Sequence, residues 1–141
     1  MIESDISATI RITGARYGLV LMRNNSGAFK DASGRWVRFG LGNDSKRINE
    51  LMKSSDLIGL LNGTWWGYPS VWGVLSAIES KKQGWRYTGK GREPAQLAFI
   101  NLMRRHGGFA CFATSWEDVE NELTTFFSQR NVTQGRIAVC P

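Results

Sequence analysis

Apolar positions recur at helical spacing over residues 2–13, where Ile6 and Ile10 share a face and Glu3 lies on that same face. Gly14 is expected to stop this helix. Residues 19–22 are a continuous apolar run that predicts a strand, and the polar segment Arg23-Asn24-Asn25-Ser26-Gly27 after it predicts a turn. Ser33-Gly34 predicts a hairpin turn before a short strand over 36–39, and Asp44 or Ser45 a cap for a short helix carrying Ile48, Leu51 and Met52. A compact apolar run at 57–61 and a longer one at 71–81 predict two more strands. Residues 82–92 hold three glycines and no aliphatic side chain, which predicts a loop. Pro94 then suits the first position of a helix whose Gln96, Phe99, Ile100 and Met103 share one face, and His106-Gly107-Gly108 ends it. A strand is expected over 109–113, a helix from the capping-box-like Ser115-Trp116-Glu117-Asp118 to about residue 128, and an edge strand over 135–141. Helix, strands, helix, strand, helix is the order of one α/β domain with a small mixed β-sheet flanked by helices.

The 141 residues suit one domain that needs neither disulfide nor metal to fold. With 42% hydrophobic and 21% charged residues, global disorder is excluded. No apolar run approaches the roughly 20 residues of a membrane span, and the acidic start Met-Ile-Glu-Ser-Asp lacks the basic region of a signal peptide. Two cysteines make a disulfide framework unexpected, so the chain reads as a soluble cytoplasmic protein with reduced thiols. Charge changes the picture further. Residues 81–105 carry seven Lys/Arg and one acid, a net +6; residues 23–53 are net +4, and residues 115–129 net −4. Two concentrated positive segments suit a polyanion, although a merely solvated surface weighs about equally on charge alone.

The candidate chemistry lies at Asp56, Glu79 and Lys81. Strand periodicity puts Glu79 and Lys81 on one face, and Asp56 opens the preceding apolar strand. If the two strands pair, the carboxylates meet and form an oxygen-ligand site for Mg²⁺ or Mn²⁺. A lysine beside them can position a water and offset charge on a phosphate, the components of metal-assisted phosphodiester hydrolysis. Glu-x-Lys alone is a weak signal, common in surface ion pairs. Glu3 and Gln96 strengthen it, since polar groups on otherwise apolar helix faces need partners and a shared site would supply them.

These residues resemble the VRR-NUC domain, the virus-type replication-repair branch of the PD-(D/E)xK nucleases. The likeness covers about residues 3–122. It comprises Glu3 in the first helix, Arg23, Asn24, Ser26 and Gly27, the segment Ser55 to Gly59, the strand end Ile78 to Lys81, Gln96, and Gly107-Gly108. The resemblance implies a restriction-endonuclease-like core and a Mg²⁺- or Mn²⁺-dependent DNA endonuclease. Asp56, Glu79, the Ser80 carbonyl and, through water, Glu3 would be its metal ligands, Lys81 would orient the nucleophile and Gln96 would support the site. It further implies a homodimer acting on branched DNA such as Holliday junctions, in the nucleoid of a bacterial or phage-infected cell. Three departures are visible: Ser55 replaces the superfamily's proline, Glu93 stands where a serine usually caps the helix, and the stretch between Gly59 and Val74 is long.

That stretch contains Trp65, Trp66, Tyr68 and Trp72. It reads as a satellite hydrophobic cluster first, then as a dimer contact, then as a wedge stacking on unpaired bases. Lys82, Arg86, Lys90 and Arg92 in the 82–92 loop, interleaved with Trp85 and Tyr87, are assigned to DNA phosphates, and Arg23, Asn24 and Ser26 to DNA contact as well. The single histidine, His106, reads as a helix-terminus partner and Cys111 as a core thiol; Cys140 has no assigned role. Alternatives are a DNA-binding protein that keeps the nuclease fold without cleavage, a flap, RNA-directed or restriction-type nuclease.

Overall fold

The structure, a computed structural model, describes residues 1–67 and 73–137, and for 131–137 the backbone alone. Helix α1 (Glu3–Arg16) leads into strand β1 (Leu19–Arg23), and a hairpin of β2 (Gly27–Lys30) and β3 (Trp36–Phe39) follows. Then come α2 (Lys46–Leu51), β4 (Leu57–Asn62), a 3₁₀ turn (Gly63–Trp66), β5 (Gly73–Ser80), α3 (Glu93–Arg105), β6 (Phe109–Ala113) and α4 (Trp116–Ile137). The main sheet has the order β1-β4-β5-β6, with β1, β4 and β5 antiparallel and β6 parallel to β5. The parallel pair is joined by α3, as a crossover connection requires. The hairpin β2-β3 forms a separate two-stranded sheet. This is the mixed α/β architecture with a small mixed sheet that the hydrophobic pattern predicts.

The sheet buries its two faces unequally. One face packs under α1 and α4, where Ile6, Ile10, Leu19, Leu57, Ile78, Phe109, Val119 and Leu123 form the main core. The other is covered by α3, chiefly over β5 and β6, through Ala77, Phe99, Ile100, Met103 and Ala110, with Met52, Ile58 and Phe112 packed at its edge. Beyond α3, Val20, Leu60 and Leu75 form a half-exposed apolar row across three paired strands.

Several boundaries differ from the pattern-based expectation. α1 runs through Gly14 to Arg16, because Gly14 serves close packing: a Cβ there would come within 3.1 Å of the Leu19 carbonyl and 3.4 Å of the Trp116 ring. The last helix continues past residue 128 to Ile137, so residues 135–137 are helical rather than an edge strand, and 138–141, with Cys140, lie outside the described residues. β5 begins at Gly73; Val71 and Trp72 also lie outside them. Of the two candidate caps of α2, Ser45 is the one used, accepting the Ile48 amide. Asp118 does not complete a reciprocal capping box, because its carboxylate accepts from the Thr114 amide and hydroxyl instead.

Gly59 is buried in β4 opposite Leu21 of β1, and a Cβ there would lie 1.9 Å from the Val20 carbonyl oxygen. Gly59→Ala is therefore expected to destabilise the protein by roughly 3 kcal/mol, since the clash is with backbone that cannot rotate away. Urea unfolding at fixed pH measures this.

Candidate active site at the ends of the central strands

The β4–β5 register pairs Leu57 with Ile78, and continuing it by one residue sets Asp56 opposite Glu79. On the other side Glu79 is paired with Phe112 of β6. A row of Asp56, Glu79 and Phe112 thus crosses three strands on the face covered by α3. Glu79 is 2% exposed, yet its carboxylate is well partnered. Oε1 accepts from Lys81 Nζ at 3.0 Å and from Gln96 Nε2, and Oε2 accepts the Asp56 amide at 3.2 Å. Gln96, in the first turn of α3, bridges the pair, because its Oε1 accepts a second Lys81 N–H at 3.0 Å. Two of the three ammonium donors are thereby used and one is left for a ligand. Trp85 and Phe112 lie against Lys81, with ring centroids 5.6 and 5.8 Å from Nζ.

The electrostatics follow from this burial. Desolvation, then the neighbouring Asp56 charge, push the Glu79 carboxyl up to about 7 against the opposing pull of Lys81. Desolvation also raises Asp56, with Glu3 adding to it, while Lys81 and Lys53 pull it down. Two carboxylates in one half-buried row ionise together at a cost that a cation between them would relieve.

The structure brings Asp56, Glu79, Lys81 and Gln96 together. Glu3 remains exposed, because α1 packs on the opposite face of the sheet; only its charge is felt at Asp56. The third acidic ligand is thus not assembled, and among the described residues no group of three or more His, Cys, Asp and Glu forms a metal cluster. Asp56, Glu79 and the Ser80 carbonyl nevertheless suit Mg²⁺ or Mn²⁺, which take one or two carboxylates and complete their shell with water and phosphate oxygens.

Around this centre the structure reassigns several residues. Asn24 does not lie free for DNA: its amide donates to the Ser54 hydroxyl and the Ser55 carbonyl, both at 2.9 Å, and its backbone N–H donates to the Asp56 carbonyl at 2.7 Å. It positions the Asp56 segment. Arg23 is exposed and Ser26 half-buried beside it. In the 82–92 loop, Lys82, Arg86, Lys90 and Arg92 are exposed as expected, but Trp85 and Tyr87 pack on Phe112 and on each other. Glu93 is not the N-cap of α3, since that position belongs to Arg92. Its carboxylate folds back onto the loop, accepting from Trp85 Nε1, the Thr88 amide and hydroxyl and the Gly89 amide. The Thr88 amide in particular draws the Glu93 carboxyl down to about 2. Glu93→Ala is expected to speed amide exchange at Thr88 and Gly89 at least tenfold, with α3 unchanged from Phe99 onward; hydrogen exchange resolved by residue reads this.

The turn Gly63–Trp66 follows β4 at the end of the strand away from Asp56, about 20 Å along it. Trp66 stacks on Phe127 at 5.2 Å and donates to the Tyr17 carbonyl, as a satellite of the core, whereas Trp65 is exposed. Tyr68 lies outside the described residues. His106 closes α3 with Nδ1 2.9 Å from the Leu102 carbonyl oxygen. Cys111 is buried, which pushes its thiol up to about 12.

Sequence reasoning missed Lys53, whose charge acts on both Asp56 and Glu79. Its position three residues before Asp56 was the available signal. Among the described residues, no helix is long and apolar enough to cross a membrane. Comparison with family models, with curated proteins and with solved structures finds no match to this chain.

Proposed function

We propose that this protein is a Mg²⁺- or Mn²⁺-dependent endonuclease with a PD-(D/E)xK-type core, hydrolysing phosphodiester bonds in branched DNA. The observation that carries this reading is the Glu79 carboxylate, 2% exposed, held by Lys81 and Gln96 directly beside Asp56 at the ends of two paired strands. A buried ion pair would itself recruit a bridging amide, but a second carboxylate beside it only raises the cost of ionising Glu79; a cation-binding centre has a use for both carboxylates. Asp56, Glu79 and the Ser80 carbonyl would hold the cation, with water completing its shell. When bound, the cation supplies a polarised phosphoryl oxygen and a more acidic water.

The chain's own residues have separable tasks. Gln96 fixes the orientation of both Glu79 and Lys81. The remaining Lys81 donor holds the attacking water or a phosphate oxygen and offsets the charge that grows on it. Asn24 keeps Asp56 at the strand end. The exposed bases of the 82–92 loop leave the centre directly after Lys81 and suit phosphates without reading sequence. Paired cuts across a junction require a homodimer, for which the apolar row of Val20, Leu60 and Leu75 is an available surface.

The test is cleavage of a labelled four-way junction, flap, splayed arm and linear duplex with Mg²⁺, Mn²⁺ or EDTA. Symmetric paired cuts in the junction, absent in EDTA, are expected. Binding of these DNAs without cleavage in either metal would overturn the nuclease reading.

A further inference from the structure

Between the β2-β3 hairpin, α2 and the start of α3 lies an open groove of about 1320 Å³. A small-molecule pocket occupies roughly 300–1,000 Å³ and is mostly apolar; this groove is larger, and its charged lining is Arg38, Lys46, Lys53 and Arg92 against Asp44 and Glu50, with Lys46 3.7 Å from Glu50 in an exposed pair, so the lining is net positive. Trp36 lines it too, 65% exposed, with Lys30 Nζ 5.4 Å from its ring centroid. The hairpin register puts Ala28, Lys30, Trp36 and Arg38 on one face, so the single indole has a basic side chain across the pair and another along its own strand.

The hairpin is firmly built. Asn43, 4% exposed, donates to the carbonyls of Gly27 and Phe39 at its base and accepts from Arg38. Asp31 closes its tip by accepting from the Ser33 and Arg35 amides. The inner end of the groove, at Lys53 and Ala95, borders the segments that carry Asp56 and Gln96. Lys53 donates its backbone N–H to the Ala95 carbonyl beside Gln96, and its charge acts on Asp56 and Glu79.

We propose that this groove carries a single strand of nucleic acid to the Asp56–Glu79 centre, with a base stacked on Trp36 and phosphates on Arg38, Lys46, Lys53 and Arg92. The proposal rests on the nuclease reading only for where the strand leads. An unstacked base has a free π-face for an exposed indole, which a base inside a duplex lacks. Positive lining complements the phosphates, and a single-stranded arm is what a branched substrate offers beyond its duplex.

The test is fluorescence anisotropy of labelled oligothymidylate, oligouridylate and a hairpin duplex, measured in EDTA so that nothing is cut. Trp36→Ala is expected to weaken oligothymidylate binding about tenfold and leave the duplex unchanged. Trp36→Phe, which keeps a stacking ring, should retain most of the affinity. Arg38→Gln should lower the salt slope for the single strand by about 0.7. Tighter binding of oligothymidylate supports a DNA arm, and tighter binding of oligouridylate an RNA strand, both within the proposal. Unchanged single-strand affinity in Trp36→Ala, or equal loss on the duplex, would overturn it. Cleavage separates this from the reading above. Cutting of branched DNA in Mg²⁺ that is indifferent to Trp36 removes the groove and keeps the centre. Trp36-dependent binding without cleavage keeps the groove and removes the centre.

Discussion

Lys81→Ala and Asp56→Ala are each expected to lower DNA cleavage by at least roughly 10²–10³-fold, while DNA affinity in EDTA stays within a few fold of the unaltered protein. Lys81 uses two donors on Glu79 and Gln96; in the proposed reaction its third would meet the phosphate, so its loss would remove charge that matters only as the phosphoryl group gains it. In the proposed centre Asp56 would supply one of two acidic ligands, and among the described residues no third acid joins them in a cluster. Both variants should fold. Removing Lys81 deprives Glu79 of its countercharge, and the carboxyl answers by staying protonated to higher pH. Lys81→Ala should therefore melt close to the unaltered protein near pH 6 and fall behind it near pH 8. Single-turnover cleavage together with anisotropy and thermal melts reads all three expectations. Full activity in either variant would refute the assigned centre.

Glu79→Gln is expected to abolish cleavage and yet stabilise the metal-free protein at pH 8. The folded-state carboxyl titrates at about 7 against an ordinary 4.5, so the native state holds its proton more tightly than the unfolded chain. A raised acid of this kind lowers stability as pH rises from about 4.5 through 7, and its full cost is present above 7. That upward shift corresponds to about 3 kcal/mol. The substitution takes back about 1 kcal/mol, because the Asp56 amide loses a good acceptor. A net gain of about 2 kcal/mol at pH 8, shrinking or reversing near pH 4.5, is the expectation. Denaturant unfolding in EDTA at the two pH values measures it, and a variant less stable at pH 8 than at pH 4.5, relative to the unaltered protein, would contradict it. An active-site residue whose loss strengthens the fold is one kept for function rather than for packing.

The pairing of Asp56 with Glu79 is legible in the sequence because strand periodicity and two apolar runs set it, and one residue of slip would put the two carboxylates on opposite faces. Gln96 was legible for a similar reason, as a polar group on an otherwise apolar helix face. What pattern alone could not give was the side on which each helix packs. Glu3 follows the periodicity of Ile6 and Ile10, but α1 covers the face opposite the centre, so shared periodicity did not become shared position. Asn24 and Glu93 look like a surface amide and a poor cap; their roles come from partners distant in sequence or folded back against it. Gly14 read as a helix stop because composition does not distinguish a glycine that ends a helix from one that admits a neighbouring ring. The hairpin was foreseen at Ser33-Gly34, but its groove was not, since that surface needs α2 and the start of α3 beside it.

The most direct test of the central claim, that Asp56 and Glu79 hold a catalytic cation, is a metal swap. Cleavage of a four-way junction is compared for the unaltered protein and Asp56→Cys in Mg²⁺, Cd²⁺ and EDTA. A thiolate ligand discriminates against the hard Mg²⁺ and favours the softer ion. The account predicts cutting by the unaltered protein in Mg²⁺ and none in EDTA, with Asp56→Cys silent in Mg²⁺ and active again in Cd²⁺. Cleavage by the unaltered protein in EDTA, or undiminished cleavage by Asp56→Cys in Mg²⁺, would contradict it.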